Sequence, residues 1–397
     1  MTKVALVGLG KMGLSHLSLI RPLPSVEVVG VCDSTGYVLD VLGKYTGVPT
    51  FTDYSEMLRR AEPDAVIVAT PTHLHGPMVR QALERDIHVF CEKPLVLDPV
   101  EGDDLVRLAA ERGLVTQVGY HNRHVGTFAE VRRLLDLGAI GPVRGALAEA
   151  YGPVVVRPPG RSWRNRGGMG GGSLYDYAAH PLDLLTWYLG EPLGVSGARL
   201  TSIHSPETDD AVSATIAYPE ATATLSVNWS DESQRKMSTR ITLWGEAGRI
   251  HVDRQEVQVH LNGRGGVPDG YEVGWNVKYG TELTAAPTFY VRGEEYSTQL
   301  EEFVGRVERR ETEGLSTFAS ASVTDRVIAA IRDADAVPVR PLSGTDGSAV
   351  PLSPARPAST ARRTRAAVAL AATAATAAGL EAARRLVRHA RSDRRTR

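Results

Sequence analysis

Cysteine is almost absent. The 397 residues hold two, Cys32 and Cys91, each in a stretch that reads as a buried strand end. So few thiols exclude a disulfide framework and fit a reducing cytoplasm. Long apolar runs are missing too. None reaches the roughly 18–20 residues of a membrane span, and the nearest, Ala366 to Leu380, is Ala/Thr-rich and weakly apolar. The N-terminus enters a strand pattern directly, without the basic and apolar regions of a secretory signal. Charge of one sign is lacking: the net value is -1, which gives no general attraction to nucleic acid or membrane. The eleven histidines are scattered, and no Cys/His spacing resembles a zinc site, so no metal is expected.

What is present suits a soluble globular chain, 42% apolar and 23% charged, long enough for two domains and an extension. The extension is residues 343–397. It carries eleven Arg against Asp346, Glu381 and Asp393, a net +8, which leaves about -9 on the rest of the -1 total. Residues 343–365 read as a Pro/Ser/Thr linker, and residues 366–391 as an Ala-rich helix with a basic end. A solvated extension is the expectation, with an anionic partner as the alternative.

The first third alternates short apolar runs with helical patterns. Strands are expected at Val4–Val7, Val26–Cys32, Ala65–Thr70, His88–Glu92 and Val115–Gly119, and helices at Met12–Ile20, Tyr54–Arg60, Met78–Arg85 and Glu101–Arg112. That alternation predicts a parallel sheet covered on both faces, an α/β Rossmann domain over residues 1–122. After a helix at Phe128–Leu137, β-branched alternation dominates from Val143 to about Gly263. This predicts an α+β domain over residues 123–342 with a large, open, mostly antiparallel sheet. One helix is expected inside it, Leu174–Leu189, and two close it, Thr298–Glu311 and Ser316–Asp333.

Gly8-Leu9-Gly10-Lys11-Met12-Gly13 follows the strand Val4–Val7 and opens a helix. In that context the glycines permit a tight turn, close approach to a pyrophosphate and helix–strand packing, with the phosphates at a helix N-terminus. Asp33 ends the second strand, where a carboxylate accepts hydrogen bonds from the ribose hydroxyls and repels a 2′-phosphate. Ser34 and Thr35 follow it rather than an arginine. The pattern favours NAD without excluding NADP.

Three clusters sit where parallel strands end: Ala69-Thr70-Pro71-Thr72-His73-Leu74-His75, Cys91-Glu92-Lys93-Pro94 and Gly119-Tyr120-His121-Asn122-Arg123. With these, the chain resembles the glucose–fructose oxidoreductase / inositol dehydrogenase / rhizopine catabolism (Gfo/Idh/MocA) family over about residues 1–342. Glu92-Lys93-Pro94 matches its most specific short signature. The resemblance implies a cis peptide before Pro94, Lys93 directed at nicotinamide and substrate, and Glu92 at the nicotinamide ribose. It implies cofactor lining by Thr70, Pro71, His73 and His75, and substrate contacts by Tyr120, Asn122, Arg123, Trp163 and Arg164. It also singles out Asp176 and His180, which at i, i+4 share one helix face, behind the glycines Gly170-Gly171-Gly172.

The implied activity is NAD(P)-dependent hydride transfer to or from a secondary alcohol of a sugar, cyclitol or nucleotide sugar. His180 would be general acid/base, Lys93 would hydrogen-bond the reacting oxygen, and Asp176 would position hydroxyls or tune His180. The open sheet implies a homodimer or homotetramer. The segment Trp244–Ile250 matches a hairpin turn of the family and is given no catalytic role. Two other readings stay open: a dinucleotide sensor without catalysis, and a glycosidase that uses NAD transiently.

Overall fold

The computed structural model describes residues 1–156, 163–284, 287 and 293–337. The extension 343–397, its helix expected at 366–391, and Arg161 and Ser162 before Trp163 lie outside the described residues.

The N-terminal part runs β1 (Thr2–Val7), α1 (Lys11–Ile20), β2 (Val26–Cys32), α2 (Gly36–Thr46), β3 (Thr50–Phe51), α3 (Tyr54–Ala61), β4 (Ala65–Val68), α4 (His75–Leu83), β5 (His88–Cys91), α5 (Pro99–Glu111) and β6 (Thr116–Val118). Among the described residues the strands form one six-stranded sheet, ordered β3-β2-β1-β4-β5-β6, with every pairing parallel. Its central strands are mostly apolar because helices cover both faces. Ala5, Val7, Val66 and Val68 pack with Met57, Leu58, Val79 and Leu105 of α3, α4 and α5. Val4, Leu6, Ile67 and Phe90 face the other way, toward Leu17 and Ile20 of α1.

Helix α2 is not among the helices expected from the sequence. Only Leu39 is fully buried, with Val38 and Leu42 partly buried against the same core, while Tyr37 and Tyr45 are exposed, so its apolar stripe is short and blurred by exposed aromatics.

The second part adds α6 (Gly126–Asp136), β7 (Val143–Tyr151), α7 (Ala179–Leu189), β8 (Gly194–Thr201), β9 (Ala211–Ala217), β10 (Thr222–Asn228), β11 (Ser238–Gly245), β12 (Gly248–Val252), β13 (Glu256–Leu261), β14 (Gly274–Tyr279), α8 (Gly280–Leu283), α9 (Glu294–Arg309) and α10 (Phe318–Asp335). Among the described residues its sheet has eight strands, β14-β13-β12-β11-β7-β10-β9-β8, antiparallel except for β7 beside β10. Strand structure thus continues to Tyr279, past the expected end near Gly263. Val212, Ala214 and Ile216 point into the core, and Ser213 and Thr215 point to the open face. Gly245 and Gly248 flank the β11–β12 turn, so the Trp244–Ile250 segment is a hairpin.

Two features depart from a simple serial reading. Helix α9 packs back on the first sheet: its Leu300, Phe303, Val304 and Val307 complete the α1 face. Helix α10 lies against α5, α7 and β8. The stretch expected as one helix over Leu174–Leu189 is instead a π turn, Leu174–Ala178, followed by α7. Pro181 lies in the first turn of α7, where its missing N–H cannot complete an i→i−4 bond to Tyr177.

Candidate active site

The turn after β1 has the form a dinucleotide requires. Gly8 adopts φ +92, and a β-carbon there would lie 2.6 Å from the Ala69 carbonyl oxygen at the end of β4. A β-carbon on Gly13 would collide with the Gly8 carbonyl. A β-carbon on Gly10 would meet nothing within 4 Å, and Gly10 caps α1 with no side-chain hydrogen bond. The first N–H groups of α1 therefore face open space beside an unobstructed glycine, which suits an anionic pyrophosphate. Lys11 is exposed and Met12 half-buried at the same turn. Asp33 sits beside it, accepting N–H bonds from Leu9 at 2.6 Å and Thr35 at 2.8 Å. This carboxylate both braces the glycine turn and stands where the ribose hydroxyls would be read. These residues fit NAD.

Beyond β4, Thr70 and Pro71 are half-buried and His73 is exposed. His75 departs from the cofactor-lining expectation. It is buried, with Nδ1 2.9 Å from the Pro94 carbonyl and Nε2 2.9 Å from the Thr70 carbonyl. Burial lowers its pKa, and a neutral ring donates to only one of those two acceptors. Its role is to brace the loop after β4 against the loop after β5.

The Lys93-Pro94 peptide is cis, as the resemblance implies. Glu92, expected at the nicotinamide ribose, has internal partners in this structure. Its Oε1 lies 2.6 Å from His16 Nε2, and its Oε2 accepts the Lys93 N–H at 3.2 Å. Burial pushes the Glu92 pKa up, but the His16 hydrogen bond and the charges of His16 and Lys93 outweigh it and hold the group below the ordinary carboxylate value. His16, fully buried on α1, is a functional neighbour the sequence reading missed. The available signal was its place three residues after Gly13, on the helix face turned to the sheet.

Lys93 and Asp176 are brought together from 83 positions apart. The Lys93 Nζ donates to Asp176 Oδ1 at 2.7 Å and to the Asp176 carbonyl at 2.8 Å, and Arg164 Nε donates to Oδ2 at 2.9 Å. Burial works against the Asp176 charge, but the Lys93 and Arg164 charges drive its pKa far below the ordinary value. The Arg164 guanidinium also lies 5.2 Å from the Trp163 ring centre, a cation–π distance. Gly170, Gly171 and Gly172 lie in close contact with their surroundings. Side chains there would strike Thr72 of the cofactor loop, the Arg164 carbonyl and Asp209 respectively. Asp209, unanticipated, accepts from Ser173 Oγ at 2.6 Å and Leu174 N–H at 2.7 Å and so anchors the π turn.

His180 follows that turn on α7. It is 5% exposed, and its Nδ1 has no hydrogen-bond partner among the described residues. Burial, reinforced by the Lys93 charge and only partly opposed by Asp176 and Glu92, lowers its pKa to about 3. The imidazole is therefore neutral at physiological pH. Its ring meets His121 edge to face, with centres 4.9 Å apart.

Of the residues expected at the substrate junction, Trp163 and Arg164 are partly exposed beside Asp176. Tyr120, Asn122 and Arg123, expected at the same junction, are all buried. Arg123 forms a two-pronged pair with Asp183 at 2.9 and 2.7 Å and also donates to the Leu315 carbonyl. Its donors hold the 121–124 turn to α7 rather than facing a ligand. Among the described residues no cluster of His, Cys, Asp or Glu is arranged for a metal ion, and no helix is long and apolar enough to cross a membrane.

Comparison with known proteins adds a family. Residues 2–120 match the family described as oxidoreductase family, NAD-binding Rossmann fold, and residues 128–251 match the GFO/IDH/MocA C-terminal domain. The chain is 31% identical over 254 residues to a dTDP-3,4-didehydro-2,6-dideoxy-alpha-D-glucose 3-reductase of Streptomyces violaceoruber, covering 62% of this chain and 72% of that one. It is 30% identical over 198 residues to a scyllo-inositol 2-dehydrogenase (NAD(+)) of Bacillus subtilis, covering 49% and 56%. A levoglucosan dehydrogenase solved in complex with NADH shares the fold, with TM-score 0.75, 20% identity and coverage of 84% and 97%.

Proposed function

The chain belongs to the Gfo/Idh/MocA family of NAD-binding oxidoreductases, and on that premise we propose that it moves hydride between NAD and a secondary alcohol of a sugar, cyclitol or nucleotide sugar. The observation that carries this reading is the neutral, buried His180 beside the Lys93–Asp176 pair, at the carboxyl end of the parallel strands. Ligands bind at that end of such sheets.

Gly8, Gly10, Lys11, Met12 and Gly13 would hold the pyrophosphate, Asp33 the adenosine ribose, and Thr70, Pro71 and His73 the wall beyond β4. The bound nicotinamide supplies the hydride acceptor. His180 takes the hydroxyl proton during oxidation and returns it during reduction. An ammonium has three donors. Lys93 directs two at Asp176, leaving one to grip the reacting oxygen and stabilise charge developing there. Asp176, held by Lys93 and Arg164, aims the lysine rather than gripping substrate hydroxyls itself. Trp163 offers a ring face on which a sugar can stack.

In this reading residues 1–122 hold the dinucleotide, residues 123–342 bind substrate, and the open sheet face pairs two copies as a dimer or tetramer in the cytoplasm. The test is to mix the protein with NAD⁺ and a panel of myo-inositol, scyllo-inositol, glucose and methyl glucosides, following NADH absorbance. Accumulating NADH supports the proposal. Tight NAD binding with no turnover would favour a sensor, and glycoside cleavage without net NADH would favour a glycosidase.

A further inference from the structure

His121 has no part in the roles assigned above, yet it is the aromatic neighbour of His180. It sits in the short turn His121–His124 that follows β6, and it is buried. One side of its ring meets His180 of α7 at 4.9 Å and 68°. Its ring also stacks on Tyr296 of α9 at 4.6 Å and 22°, with the Tyr296 hydroxyl 3.5 Å from His121 Nε2. Three elements that are distant in sequence therefore converge in one column of rings.

We propose that His121 is a positioning residue that fixes the plane of the His180 imidazole, backed by Tyr296. The inference rests on the reading of His180 as the proton acceptor. The Nδ1 of His180 lacks a hydrogen-bond partner among the described residues. A base is usually held in its tautomer and orientation by a third group. With no such bond, ring packing is the restraint on offer, and edge-to-face aromatic contacts have defined geometry. Burial, then His180, Arg254 and Lys93, keep the His121 pKa well below its ordinary value. It therefore adds no positive charge beside His180. The charged groups acting on His180 are Lys93 and Arg254, which oppose its protonation, and Asp176 and Glu92, which favour it.

The test compares His121→Phe, His121→Ala and Tyr296→Leu in the full chain. Two readouts are used: turnover of the best substrate from the inositol and glucoside panel, and histidine-ring NMR without NAD or substrate. The His180 signal is assigned by its loss in His180→Asn. Phe keeps a ring in place, so kcat should stay near wild type and the His180 titration should be unmoved. Ala removes the ring and admits water. There kcat should fall by on the order of 10²-fold with KM little changed, and the His180 midpoint should rise toward 6.5. Tyr296→Leu should give a smaller loss in the same direction, which keeps the test decisive if His121→Ala does not fold. Wild-type kcat and an unmoved His180 titration in His121→Ala would overturn the proposal. So would a Phe variant as impaired as Ala, since that would assign the role to imidazole chemistry. If His180→Asn itself stayed fully active, the reading of His180 as proton acceptor would fail instead, and the NMR comparison would still decide whether His121 sets the His180 environment.

Discussion

Asp176 holds a carboxylate in a buried position because two cations meet it, Lys93 at 2.7 Å and Arg164 at 2.9 Å. Replacing it with Asn keeps the shape and removes the charge, leaving Lys93 without its ionic partner. We expect Asp176→Asn to lower kcat far more than it weakens NAD binding, since Asp176 aims the lysine and lies apart from the glycine turn. Steady-state kinetics beside NAD titration checks this. His180 gives a prediction on stability. Its folded pKa of about 3 lies below the ordinary 6.5, so between those values the unfolded chain binds a proton that the folded chain does not. Stability contributed by keeping this ring neutral is therefore full above about pH 6.5 and is lost as pH falls toward 3. The slope is at most about 1.4 kcal/mol per pH unit for one group. His75, His121 and His124 are shifted the same way, so the loss is steeper than one group would give. Tm measured from pH 7 down to pH 4 should fall, and the fall should be shallower in His180→Asn.

At the scale of elements, the His16–Glu92 pair fastens α1, whose N-terminus faces the phosphate site, to the loop that carries Lys93. Removing one partner of a buried pair typically costs about 3–5 kcal/mol, because the other charge is left uncompensated. His16→Leu should lower Tm markedly and weaken NAD binding, both readable by thermal shift with and without NAD. The sequence carried much of this architecture. The glycine turn and the two-period and 3.6-period patterns were legible in the residues, and the family resemblance supplied the cis Lys-Pro peptide; the direct pairing of Lys93 with Asp176 was not foreseen. Nor were the partnerships of buried side chains. His16 finds Glu92 across 76 positions and Arg123 finds Asp183 across 60, and no local pattern encodes such distances. Arg123 and Glu92 therefore looked available to ligands when the fold had already engaged them. Helix α2 escaped for another reason, since its exposed Tyr37 and Tyr45 blur the short stripe of Val38, Leu39 and Leu42. The π turn at Leu174–Ala178 stands just before Pro181, as an interruption within an otherwise helical run.

For the whole molecule, the strand order puts a broad open face on the second sheet. Across β11–β14 that face carries the row Trp244, Arg249, His260 and Trp275, in register across the strands. Trp275 is 60% exposed, and Val277 and Tyr279 beside it are also exposed. Apolar surface of this kind marks an association face. If two copies pair there, Trp275→Glu should shift the protein toward monomer in sedimentation velocity while NAD binding is retained; an unchanged species would count against pairing at that face. The first sheet also depends on distant chain, because α9 covers Val4, Leu6, Ile67 and Phe90. Dinucleotide turn, lysine loop and His180 are therefore parts of one folded unit. The most direct test is the rate of NADH formation from NAD⁺ and the inositol and glucoside panel, measured for wild type and His180→Asn in parallel. Wild type should turn over, and the variant should lose on the order of 10²–10⁴-fold in rate with NAD affinity preserved. Equal rates in the two proteins, or firm NAD binding with no turnover in either, would contradict the proposed hydride transfer.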